Sequence, residues 1–93
     1  MIMITSTKKF QVTFVAEDSI GRKESLTLKV SEIVYNKLKK AAQSGDEEEV
    51  INDIYDGYKL DKGYLSKGQF YSLRDFLNLC HHKFYKYTIT VKC

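Results

Sequence analysis

The chain has no proline, no tryptophan and only 5 glycines among its 93 residues. Collagen-like and low-complexity polymers are excluded on that ground. A hydrophobic content of 43% with 29% charged residues is the balance of a globular chain. Long apolar runs are missing too: none approaches the ~18 residues that a membrane-spanning helix needs. Met1-Ile2-Met3-Ile4 is too short for the apolar stretch of a secretion signal, and no cleavage pattern follows it. A soluble cytoplasmic protein with no membrane partner is expected. Cysteine is scarce, at 2 residues, and a reducing compartment disfavours a Cys80–Cys93 disulfide. Length predicts a single domain over 1–93 with one modest core, burying about 60–65% of the surface that the unfolded chain exposes.

Catalytic signatures are also missing. There is no glycine-rich phosphate loop, no Ser-His-Asp order and no HExxH. Cys80-His81-His82 has ligand and nucleophile chemistry, but successive residues on a helix point ~100° apart and do not converge on one metal. A Cys–His pair without an orienting third group is not a nucleophilic centre. Cys80 reads as a small core residue and the histidines as a helix C-terminus, which favours positive charge. Asp61–Phe70, DKGYLSKGQF, echoes the second half of an EF-hand loop. With Gly63 at the sharp turn, however, the ligand positions fall on Tyr58, Leu60, Lys62 and Gln69, which cannot supply the anionic oxygens calcium requires. A non-enzymatic chain without metal or cofactor is expected.

Charge is distributed unevenly. Residues 1–45 carry a net +4, residues 46–61 a net −6, and residues 62–93 a net +5. Seven of the twelve acids fall in the middle stretch: Asp46, Glu47, Glu48, Glu49, Asp53, Asp56 and Asp61. A nucleic-acid binder is not expected to concentrate acid in this way. The cations are 13 lysines and 2 arginines. Arginine is the residue preferred for bidentate recognition of phosphate and guanine, so its scarcity points the same way. The lysine-heavy balance is also that of an AT-rich bacterial or bacteriophage genome.

Periodicity supplies the fold. Phe10, Val12, Phe14 and Ala16 alternate with Gln11, Thr13, Val15 and Glu17, Asp18–Gly21 is turn chemistry, and Leu26, Leu28 and Val30 alternate again, which predicts an antiparallel hairpin. Ser31 caps a first helix whose stripe is Ile33, Val34, Leu38, Ala41 and Ala42, and Ser44-Gly45 ends it. Asp46 with Glu49 forms a capping-box-like pair opening a second helix, with Val50, Ile51, Ile54, Tyr55 and Tyr58 on its apolar face. Asp56–Gly63 reads as a loop. Ser66 caps a third helix built on Phe70, Leu73, Leu77 and Cys80, and Tyr85, Tyr87, Ile89 and Val91 alternate in a last strand. The expectation is an α+β fold: a three-stranded antiparallel sheet in the order β-β-α-α-α-β, with the helices packed on one face. That face comprises Phe10, Val12, Phe14, Leu26, Leu28, Tyr87 and Ile89.

Residues 26–58, LTLKVSEIVYNKLKKAAQSGDEEEVINDIYDGY, run strand, helix, glycine turn, helix. This stretch resembles the ribbon-helix-helix DNA-binding proteins. The resemblance implies strand pairing between two chains, with polar strand residues entering the major groove, here Thr27 and Lys29 with Ser25 beside them. A second nucleic-acid surface would be the last strand, if Phe84, Lys86, Thr88 and Lys92 face outward together and a base stacks on the ring. The leading reading is different, because carboxylates at the second helix's first turn repel phosphate. It is a small regulatory module that binds a basic protein or nucleoprotein partner stoichiometrically, through Glu47, Glu48, Asp53, Asp56 and Asp61. Tyr58 and Tyr64 would be its apolar anchors.

Overall fold

The computed structural model describes residues 9–93; Met1-Ile2-Met3-Ile4, weighed above as a secretion signal, lies outside them. The elements are β1 (Phe10–Asp18), β2 (Lys23–Val30), α1 (Glu32–Ser44), α2 (Glu47–Lys59), α3 (Lys67–Lys83) and β3 (Tyr87–Lys92). The fold is α+β, in the expected order, with a three-stranded antiparallel sheet arranged β2-β1-β3.

The hairpin forms where alternation and turn chemistry agree. Phe10 pairs with Val30 and Glu17 with Lys23. Between them Gly21 takes a φ of 88°, open to glycine at little cost, and the Asp18 carboxylate accepts the backbone N–H of Ile20 at 3.1 Å and of Arg22 at 2.8 Å. β3 returns antiparallel on the other side of β1, from Asp18↔Tyr87 to Thr13↔Lys92.

One sheet face meets the helices. Val12, Phe14, Ala16, Leu28, Val30, Ile89 and Val91 are buried there with Val34, Leu38, Ile51, Leu73, Phe76 and Cys80 from the helices. Of the expected inward set, Phe10, Leu26 and Tyr87 are half-buried at its margin. The opposite face carries Gln11, Thr13, Lys23, Ser25, Thr27, Lys29, Thr88, Thr90 and Lys92, with Thr13 and Thr27 sharing a hydroxyl hydrogen bond of 3.0 Å. Two caps form as read: Ser31 accepts from the Val34 N–H, and Ser66 with Gln69 makes a full capping box.

Four local expectations are corrected. Ile33 is 65% exposed, because α1 turns Val34 and Leu38 into the core instead. Tyr85 is 95% exposed, lying before β3 begins rather than within its alternation. The stretch read as a loop from Asp56 is helical to Lys59, since Gly57 is buried and its missing side chain makes room for the Tyr64 ring. The Asp46 side chain makes no capping bond. The N–H groups of Gly45 and Asp46 both bond to the Ala41 carbonyl, at 2.8 and 3.1 Å. That holds Asp46 against the end of α1, where its carboxylate accepts the Ser44 hydroxyl at 3.0 Å.

Candidate interaction surface

The tight link from α1 to α2 aims the acidic first turn of α2 at β3. Asp46, Glu47, Glu48, Glu49 and Asn52 line one wall of a groove of about 710 Å³, and Tyr87, Thr88 and Ile89 line the other. A smaller recess of about 190 Å³ adjoins it, where Glu48, Ile51 and Asn52 face Leu77 and His81 of α3 beneath Tyr87 and Ile89. Among the described residues, none of the four consecutive carboxylates is paired with a cation. The N-terminal dipole of α2 stabilises them only in part.

Within the lining of the recess the Tyr87 hydroxyl lies 3.3 Å from a His81 ring nitrogen, with the rings edge to face at 5.5 Å. Burial, then the neighbouring Cys80 thiol and Glu48 carboxylate, push the Tyr87 phenol above its ordinary range. Cys80 is fully buried, and burial together with Glu24 pushes its thiol up as well. These shifts leave a hydrogen-bonding phenol and an inert thiol. Both cysteines are free. Among the described residues, no cluster of three or more His, Cys, Asp or Glu is placed to hold a metal ion, and no helix is long and apolar enough to cross a membrane.

The acids and tyrosines read together from the sequence are divided among several surfaces. Glu47 and Glu48 stand on the groove. Asp53 turns to α1, with its carboxylate 3.9 Å from the Lys37 ammonium. Asp56 is exposed, and Asp61 adopts a φ of 58° in the turn that follows α2, its N–H bonded to the Tyr58 carbonyl. Tyr58 is half-buried and stacks on Phe70 at 4.2 Å, while Tyr55 stacks on the same ring at 4.7 Å. Tyr64 lies over Gly57 under the Lys37 ammonium, 5.1 Å from its ring centre.

Of the alternative nucleic-acid residues, Thr27, Lys29 and Lys92 share the open sheet face, Thr27 and Lys92 both flanking Thr13. Phe84 does not face outward. It is 3% exposed, under the Arg22 guanidinium at 5.6 Å, and is unavailable for base stacking. Lys86 precedes β3, beside Glu17 and Asp18. Asn52 is absent from the sequence reading, in which His81 figures only as a helix C-terminus and Tyr87 only as a sheet-face residue. The spacing of Glu48 and Asn52 at i, i+4 off the apolar stripe was the available signal for the first; the other two are joined only by the fold.

No protein family, curated protein or solved structure matches the chain.

Proposed function

We propose that this protein is a small non-enzymatic binding module that regulates a protein or nucleoprotein partner by stoichiometric association. The partner presents a basic surface to the groove between α2 and β3. The observation that carries this reading is the run of four carboxylates, Asp46–Glu49, which among the described residues stand without a cation on a groove whose other wall includes Tyr87. Like charges held this close repel, and a partner's lysines or arginines relieve that repulsion while steering the encounter. Asp53, Asp56, Asp61, Tyr58 and Tyr64 then form the flank of the surface rather than its centre.

A photo-cross-linker placed at Glu48 captures the partner in cells that make the protein, and binding is then measured with purified components. Glu47→Lys and Glu48→Lys slow association in a salt-sensitive way, whereas Asp53→Lys, whose carboxylate already faces Lys37, does so less. Unchanged association for the first two sinks the reading. A second reading rests on Thr27, Lys29 and Lys92 sharing the uncovered sheet face: that face holds a nucleic-acid backbone. Its mark is a gel shift that weakens steeply as salt rises and is lost in Lys29→Glu with Lys92→Glu.

A further inference from the structure

We infer that β3 is a docking edge, to which an extended segment of the partner, basic at alternate positions, adds as a fourth strand. This rests on the reading of the acidic groove as the partner surface and specifies the partner's conformation and sequence pattern.

A three-stranded sheet has two outer edges, and each is a template for another strand. Along β2 one edge group is taken: the Gln69 side-chain amide donates to the Lys29 carbonyl, and near the other end the Lys83 side chain pairs with the Glu24 carboxylate at 2.6 Å. Along β3, among the described residues, no hydrogen bond reaches the main chain from any element but β1. The groove is lined by three successive residues, Tyr87, Thr88 and Ile89. Successive strand side chains point to opposite faces, so a groove touching all three runs along the edge rather than over a face. A strand added there lies about 4.8 Å from β3 and presents every second side chain to the helix layer.

Charge selects the occupant. On the helix side the added side chains meet Glu47, Glu48 and Glu49, so lysine or arginine belongs there. On the outer side they lie beside Thr88, Thr90 and Lys92, where uncharged β-branched residues fit. A second copy of the chain is disfavoured, because pairing β3 with β3 about a two-fold axis brings two acidic rims onto the same side of one sheet. Main-chain bonds supply the affinity and the alternate basic pockets the specificity, as in other strand-addition complexes.

The test uses a capped synthetic peptide of alternating lysine and valine, the same peptide N-methylated at alternate amides in either register, and the intact protein. Fluorescence anisotropy gives affinity and amide exchange locates the contact. The unmethylated peptide binds and protects β3 amides; methylation in the donor register weakens binding by about tenfold or more, through lost backbone hydrogen bonds. Glu48→Lys weakens it in a salt-sensitive way. Equal binding of all the peptides overturns strand addition and leaves the acidic groove standing as a surface. Failure of every peptide to bind overturns strand addition as well. The reading under Proposed function falls separately, if Glu47→Lys and Glu48→Lys leave association with the captured partner unchanged. A dimer in sedimentation with protected β3 amides assigns the edge to a second copy and overturns the basic segment.

Discussion

α3 is tied to β2 and its turn at three points: Gln69 takes up the Lys29 carbonyl, Lys83 pairs with Glu24, and Arg22 donates to the Lys83 carbonyl at 3.3 Å. Along β3, α2 presents carboxylates across a groove, and the helix bond made there is between side chains, His81 of α3 and the Tyr87 hydroxyl. The same sheet thus has one edge to which α3 supplies a main-chain hydrogen bond and one to which, among the described residues, no helix supplies any. The difference traces to polarity in the sequence. α3 ends in His81, His82 and Lys83 and carries Gln69 in its first turn, groups that can donate to strand carbonyls or pair with strand acids, whereas α2 begins with acceptors only.

The largest break in that comparison comes from Phe84, the buried ring that anchors the chain between α3 and β3. Phe84→Ala costs about 3–5 kcal/mol and loosens both edges together, read by chemical denaturation. Next is Gln69→Ala, which removes the return half of the capping box and the bond to β2. It costs about 1–2 kcal/mol and speeds amide exchange around Lys29 while leaving β3 unchanged.

Asp18 sharpens the comparison through pH. It is 8% exposed, and burial alone would raise its pKa. The Arg22 side chain at 2.5 Å and the backbone N–H groups of Arg22 and Ile20 outweigh that, so its carboxyl sits below the ordinary 3.8. A depressed folded value means that its contribution is complete above the unfolded value and is lost as pH falls through the folded one. Unfolding measured from about pH 5 to about pH 2 shows this loss, and Asp18→Asn flattens the profile. The smallest effect on stability is Glu48→Lys, on the open edge, which stays within about 1 kcal/mol of the parent because the helix-dipole stabilisation it loses is offset by relief of repulsion from Asp46, Glu47 and Glu49. A loss of several times that size would mean that the acidic rim is part of the fold and not an open surface.

Legibility followed the range of the interactions. The three strands declared themselves because each buries one face, so Val12 and Phe14, or Ile89 and Val91, recur at period two. The caps at Ser31 and Ser66 are local hydrogen bonds and were equally readable. Gly57 was misread as a turn signal because the ring that needs its bare backbone, Tyr64, arrives seven residues later by way of the fold. The acidic block was visible as charge but not as surfaces. Only neighbours distant in sequence, Lys37 for Asp53 and Tyr87 for Glu48, separate one carboxylate from another. His81 meets Tyr87 because α3 and β3 fold back on each other at Phe84.

The sheet order β2-β1-β3 also has a consequence for how the chain is made. β1 and β2 are neighbours in sequence, but the third strand begins 57 positions after the second ends. At a ribosome's pace of about 5–20 residues per second, the hairpin therefore waits roughly 3–11 s before its second neighbour has even been synthesised. During that interval the flank of β1 that β3 will cover has no native strand to pair with. Such long-range pairing is intrinsically slow to form and exposed to aggregation. The nascent hairpin, with Phe14 and Ala16 still lacking Val91 and Ile89 beside them, is therefore the stage of synthesis most exposed to wrong pairing.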